Sequence, residues 1–260
     1  MEWIDEAIVL SSRAHGETAA IVTLLTAEHG RHAGLMAGGQ GHKAQPVLQT
    51  GNYVKAQWRA RLLDHLGHYS CDLLTSYGAR WLDHSEILTI IASACAVTEV
   101  SLPERQPMPG VYEGLRALLS LTDADLWGPA YVKWEMSLLQ ALGYGLDLSQ
   151  CAANGTSHDL AYVSPRTGRA VSRAAGEPYH EKLFPLPGFL LGFGEWRPID
   201  IWEGLQLTGH FLARYVFAHV QNRVLMNQAG DLPNARQRLA DFYRCEDEQD
   251  KLLSSDNAVA

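Results

Sequence analysis

The chain has 260 residues, 47% of them hydrophobic and 19% charged, a balance that folds around apolar cores and excludes a collagen-like, coiled-coil or largely disordered protein. Its 21 basic and 29 acidic residues leave a net charge of −8, which for the chain as a whole argues against a general polyanion binder. The charge is segregated, however: residues 1–80 sum to zero, so the remaining residues carry the whole deficit.

The opening stretch, MEWIDEAIVL, is acidic and lacks the basic start of a secretory signal. Residues 6–12 and 19–26, EAIVLSS and AAIVTLLT, are β-branched runs separated by a Gly16 loop. RHAGLMAG follows the turn at 28–30, and the Gly-rich GGQGHKAQP (38–46) then reads as a flexible, basic connection. The clearest strand is NYVKAQWRARL (52–62). Alternation predicts Val54, Ala56, Trp58, Ala60 and Leu62 on its core face, and Tyr53, Lys55, Gln57, Arg59 and Arg61 on the other. A fifth run, HLGHYSCDLL, completes a set with no room for crossover helices, so a small barrel or sandwich is expected.

From about residue 76 the apolar period becomes helical. Helices are expected over 76–100, 110–121 and 128–143, the last with Tyr131, Trp134, Leu138 and Leu142 as one stripe and Gly143 and Gly145 as its stop. Residues 146–198 are Gly- and Pro-rich and read as a loop-rich insert. Helix returns over 199–220 and 232–244, and a polar, flexible tail is expected from Cys245. The fold class is therefore α+β, with a β domain over 1–78, a helical domain over 79–145 and 199–244, the insert, and a 245–260 tail.

Residues 31–61 hold Arg31, Lys43, Lys55, Arg59 and Arg61 and no acid. Cations at alternate positions of a strand recur about every 6.6–6.8 Å, a spacing that suits phosphates on an extended single strand. The candidate DNA-binding residues are those five, with Tyr53 as a base-stacking ring and Arg13 as a weaker addition. A solvated sheet face is the bland alternative. The Gly-rich loop is no nucleotide-phosphate loop, because Lys43 is followed by Ala44 where a Ser or Thr would be needed. Cys71, Cys95, Cys151 and Cys245 are widely spaced without CxxC, which suits a reducing cytoplasm. Cys151, His158 and His180 are too loosely spaced for a structural zinc site. No nucleophile–base constellation stands out, so no catalytic residues are expected.

Three stretches together resemble the RecO family of bacterial recombination mediators. They are AIVLSSRAHGETAAIVTLLTAEHGRHAGLMAGG at the N-terminus, WEMSLLQALGYGLDLSQCA with its Trp134-Glu135 pair, and YVSPRTGRAVS followed by PLP. The resemblance implies an N-terminal OB-fold barrel, a helical domain and an insert that in many members is a zinc ribbon. It also implies a non-catalytic protein that binds single- and double-stranded DNA and anneals complementary strands. With RecR, such proteins help load RecA onto DNA coated by single-strand-binding protein, in a nucleoid-associated, cytoplasmic setting with no membrane partner. Lys133 stands where the family tends to carry a cation, and is the candidate contact for the acidic tail of single-strand-binding protein.

The chain departs from the family pattern in two places. Cys151 occupies the first zinc position, but Asn154, Ser172 and Ala175 hold the others, so no metal or other cofactor is expected. The insert should then be held by packing, with Tyr162, Leu183 and Phe184 as candidates. The Gly-Gly loop has a single Lys, which leaves a competing reading: a protein-interaction module of a repair complex with little direct DNA binding.

Overall fold

The computed structural model describes residues 1–62, 65–218, 226 and 231–257, with 247–257 described by their backbone only. The chain divides into two compact units, Met1–Ala124 and Asp125–Ala260.

In the first unit five strands close into a barrel: β1 (Glu2–His15), β2 (Ala19–Thr26), β3 (Gly30–Met36), β4 (Tyr53–Arg59) and β5 (His68–Thr75), in the order β1-β2-β3-β5-β4. Neighbours are antiparallel except β3 and β5, which meet in parallel at Leu35 and His68. The interior holds Ala7, Val9, Val22, Leu24, Val54, Ala56 and Trp58, all fully enclosed. Gly34 leaves room for the Tyr69 ring, which would lie 2.4 Å from a Cβ there. The predicted alternation of β4 holds through Trp58, but the strand ends at Arg59. Arg61 and Leu62 lie beyond it, and Leu62 is exposed instead of in the core.

The connection at 38–46 is pinned, in contrast to the flexible loop expected from its glycines. Backbone turns join Gly38 to Gly41 and Gly41 to Ala44, and the Gln40 side chain donates to the carbonyls of Gly16 and Ala19. Ala44 and Leu48 drop into the barrel core.

Helices α1 (Ser85–Ser101) and α2 (Pro109–Leu119) belong to the same unit as the barrel. The β domain expected over 1–78 is thus extended by two helices that the periodicity alone places in the helical domain. The expected helix over 76–100 is broken, with a single turn at Gly78–Trp81 before α1 begins. α1 packs against β1, where Glu99, buried, accepts hydrogen bonds from Ser11 (2.9 Å) and Thr23 (3.2 Å). Ile8, Leu10 and Leu25 are buried although alternation turns them away from the barrel interior. This explains why β1 reads as a continuous apolar run at its centre: both faces are covered.

The second unit opens with α3 (Trp127–Ala141), which Gly143 stops in a left-handed conformation (φ 89°). The insert contains a three-stranded sheet, β6 (Leu160–Val163), β7 (Ala170–Ser172) and β8 (Phe184–Pro185), in the order β7-β6-β8, and a one-turn helix α4 (Arg173–Gly176). The three packing candidates take part. A Cβ on Gly176 would sit 2.4 Å from the Tyr162 ring and 3.1 Å from Leu183, and Phe184 lies against His210 at 5.1 Å.

Helix α5 (Pro198–Phe211) passes into a π-helical stretch, Leu212–Phe217, while residues 219–220 of the predicted helix lie outside the described residues. The last helix, α6, runs Asn234–Asn257. The tail expected to be flexible from Cys245 is therefore helical as far as Asn257. Its residues EDEQDKLLSSDN include no Gly or Pro to end a helix. Residues 258–260 lie outside the described residues.

A buried ion pair ties α3, α5 and α6 together. Glu135 and Arg236 are both fully enclosed and meet in a fork, with one contact at 2.9 Å. Arg236 also donates to the Leu205 carbonyl (2.7 Å), and the Tyr131 and Thr208 hydroxyls donate to Glu135. The Trp134-Glu135 pair of the family resemblance is thus two buried side chains, one of them the anchor of the helical unit.

Candidate nucleic-acid interface

Strand β4 presents Lys55, Gln57 and Arg59 outward, as its alternation predicts. Its neighbours decide the charge of that face. On one side, β1 places Glu6 in register with Lys55 and Glu2 with Arg59; on the other, β5 places Asp72 beside Lys55. Side chains in register across a sheet have Cβ atoms about 4.5–5.5 Å apart, close enough for direct charge pairing. Arg59 meets Glu2 at 2.9 Å, and Gln57 also donates to Glu2. Hydrogen bonds from Arg59 and Gln57 hold the Glu2 carboxyl below its ordinary range. The row of cations is exposed, but it alternates with acids of the barrel itself.

Tyr53 is not a free stacking ring. It is buried, its hydroxyl donates to Glu6 and lies 3.2 Å from that of Tyr112 on α2, and the Arg116 guanidinium sits 5.6 Å from its ring centre. Burial, and then hydrogen bonding with Glu6 and Tyr112, push its phenol well above the ordinary range. Alternation along β4 could not show this, because the cover comes from a helix that begins about 50 residues later.

Arg31 is also committed. Its Nε donates to the Leu102 carbonyl at 2.8 Å, it pairs with Glu104 at 3.5 Å, and its own carbonyl accepts from the Arg105 amide. It fastens the segment after α1 onto β3. Arg13 reaches the buried Glu99 at 3.5 Å. Arg61 is exposed just past the end of β4. Lys43 is exposed beside a cleft of about 430 Å³ that Met36, His42, Val47 and Cys71 help to line. In the other unit, Lys133 is exposed on α3 between buried neighbours Val132 and Trp134.

One cluster escapes a reading of the sequence alone. Trp3 stacks on His29 at 4.2 Å and on Trp58 at 5.8 Å, with His32 and Tyr69 edge-on to it. Asp5 accepts from His29 and from the Glu28 amide, and the Tyr69 hydroxyl bonds His32 at 2.9 Å. Burial, helped by the nearby Arg105 and His29 charges, lowers the His32 pKa to about 4, so the ring is neutral at physiological pH. Trp3 and Trp58 oppose each other in register, but only the strand pairing makes that visible.

Three of the four zinc-ribbon positions, Cys151, Asn154 and Ser172, come together. Cys151 Sγ accepts from the Ala153 amide at 3.4 Å, and the Asn154 side chain donates to the Ser172 hydroxyl at 3.4 Å. Burial raises the Cys151 thiol, but hydrogen bonds from the Ser172 hydroxyl and amide and from the amides of Ala153 and Asn154 outweigh it, bringing the pKa down to about 7. One thiol, an amide and a hydroxyl do not fit a four-ligand zinc site, and hydrogen bonds join these positions instead.

The two-part architecture has a counterpart in known families. Residues 1–77 match the family described as Recombination protein O N terminal, and residues 84–223 match Recombination protein O C terminal. The chain belongs to the RecO family. It is 48% identical over 246 residues to the DNA repair protein RecO of Rhodospirillum centenum, covering 94% of this chain and 95% of that one. It is 45% identical to the protein of the same name from Rhodospirillum rubrum (94% and 97% covered), and 50% identical to that from Phenylobacterium zucineum (84% and 90%). The family boundary, between 77 and 84, falls where the barrel ends, whereas the compact unit continues through α2. RecO-family membership makes this a DNA repair protein of α+β fold. Among the described residues, no helix is long and apolar enough to cross a membrane.

Proposed function

We propose that this RecO-family chain is a non-catalytic recombination mediator. In this reading it binds single- and double-stranded DNA, anneals complementary strands, and acts with RecR to help load RecA onto DNA coated by single-strand-binding protein. The observation that carries the reading is the match of both family parts over most of the chain, joined to a closed five-stranded barrel. Barrels of this class bind oligonucleotides along an open face. Lys43, Lys55, Arg59 and Arg61 are exposed cations that can meet phosphates, Arg59 while paired with Glu2. Cations on one surface screen the repulsion between two strands, and each phosphate contact releases counterions, so binding falls steeply with salt.

One observation favours the second reading, a protein-interaction module. Glu2, Glu6 and Asp72 stand in register with the β4 cations and cancel much of their field. Anisotropy of a labelled single-stranded oligonucleotide against the full chain, at several salt concentrations, separates the two. Binding that weakens with salt, together with faster annealing of complementary oligonucleotides, is expected of the mediator. No binding even at low salt would sink it and leave the module reading.

A further inference from the structure

The second unit carries an aromatic and basic cluster of its own. The Schellman-type stop of α3, with Gly143 left-handed and the Tyr144 amide bonded to the Leu139 carbonyl at 2.8 Å, sets Tyr144 on the surface. Its ring lies parallel to that of Tyr215, with centres 5.0 Å apart and an interplanar angle of 5°. Tyr215 stacks in turn on the buried Phe211, and the Arg214 guanidinium sits 5.1 Å from the Tyr215 ring centre. Arg214 and Tyr215 belong to the π-helical stretch Leu212–Phe217, a distortion of the helical ladder found often at functional sites.

The turn at 164–168 is fastened to this stack. The Pro165 carbonyl accepts from Arg214 at 3.1 Å and lies 3.1 Å from His210, and the adjacent Arg166 is exposed. Gly168 leaves no space for a Cβ against Leu146, which keeps the turn close to the segment bearing Tyr144. Arg169 stands at the other end of the turn. It pairs with Asp147 at 3.3 Å, whose carboxylate also accepts from the Ser149 hydroxyl. Arg169 thus takes the Asp147 carboxylate, whereas Arg214 donates to a backbone carbonyl, unlike the alternating charges on β4.

We propose that Tyr144, with Arg166 and Arg214, forms a binding site for single-stranded DNA in the second unit. This rests on the DNA-binding reading and adds a site to it. Tyr144 is 42% exposed while one ring face is covered by Tyr215, so a base can continue the Phe211–Tyr215–Tyr144 stack. Stacking on an aromatic platform is tolerant of base identity, and the two exposed arginines meet the phosphates flanking that base. A duplex fits less well, because its bases already stack on each other and only a terminal pair could reach the ring. A single strand is therefore the ligand.

The test is photo-crosslinking of an oligo-dT strand carrying one 5-iododeoxyuridine, with mass-spectrometric mapping, beside anisotropy of the same strand on the full-length protein. The expected result is a crosslink at Tyr144. Tyr144→Ala should weaken binding by about tenfold and Tyr144→Phe should retain it. The Arg166→Ala/Arg214→Ala double variant should lower the salt slope by ~1.4, at about 0.7 per lost contact. Unchanged thermal melting of each variant shows that the helical unit still folds, and a variant that fails to fold leaves the wild-type crosslink to decide. Wild-type binding with the crosslink elsewhere, or with Tyr144→Ala at full affinity, would overturn this site alone. Absence of binding by the wild type would overturn it together with the DNA-binding reading.

Discussion

Two regions of the molecule hold exposed cations beside aromatic rings, and they solve the same problem in opposite ways. On the barrel, Lys55 and Arg59 share their sheet face with Glu2, Glu6 and Asp72, and the nearby Tyr53 is buried under α2. In the second unit, Arg166 of the 164–168 turn and Arg214 of the π-helical stretch are exposed, and Tyr144 offers a ring face. A count of cations along a sequence window therefore overstates the barrel, because strand neighbours far away in sequence supply the cancelling charge. It understates the second unit, where net acidity conceals a local basic cluster.

α5 depends most on the buried ion pair that holds it in place. Arg236→Met strands Glu135 as a buried, unpaired carboxylate, at an expected cost of about 3–5 kcal/mol in urea unfolding. A cost under about 1 kcal/mol would mean that the ion pair does not anchor the helices bearing the second cluster. Next comes the barrel's own sensitivity to acid. The folded-state pKa of His32 is about 4 against 6.5 for the free side chain, so the unfolded chain takes up the proton first as pH falls. The stability that neutral His32 gives is fully present above pH 6.5 and is lost progressively down to about pH 4. The expected loss between pH 7 and 5 is about 2 kcal/mol, and His32→Gln should flatten that part of the profile. An identical profile in the variant would assign the acid sensitivity elsewhere.

Smaller effects sharpen the electrostatic half. Replacing Glu2 and Glu6 by Gln and Asp72 by Asn removes the acids in register with the β4 cations while keeping hydrogen-bonding side chains. Single-strand affinity at low salt should rise by roughly tenfold, with a steeper salt slope; unchanged affinity would show that β4 is not a DNA face. Smallest is Lys133→Ala, which should alter stability by less than about 0.5 kcal/mol because the side chain is exposed. Its expected readout is weaker binding, by about threefold, of an acidic, Phe-ended peptide that copies the tail of single-strand-binding protein. Full binding would remove Lys133 from that contact.

The fold is legible where local pattern and tertiary structure agree. All five barrel strands fall on the runs expected for them, and Trp58 is core because alternation puts it there. Legibility fails where partners are distant in sequence. Arg31 looks like a free cation until Leu102 and Glu104 close on it, and Tyr53 looks exposed until Tyr112 arrives. The loop at 38–46 looks mobile because glycine permits freedom, but Gln40 and Ala44 remove it. Arg236 carries no periodic signal, since a single buried cation in an amphipathic helix looks like any surface residue. Of the proposed barrel contacts, Lys43, Lys55, Arg59 and Arg61 remain available, with Arg59 sharing its charge with Glu2.

The most direct measurement is the salt dependence of single-strand binding for three full-length proteins side by side: wild type, the Lys55→Ala/Arg59→Ala/Arg61→Ala variant and the Arg166→Ala/Arg214→Ala variant. The expectation is a clear negative slope for wild type, and a larger loss of slope per removed cation in the second unit than on β4, because the β4 acids already screen that face. A wild type that does not bind at low salt, or two variants that both retain the full wild-type slope, would contradict it.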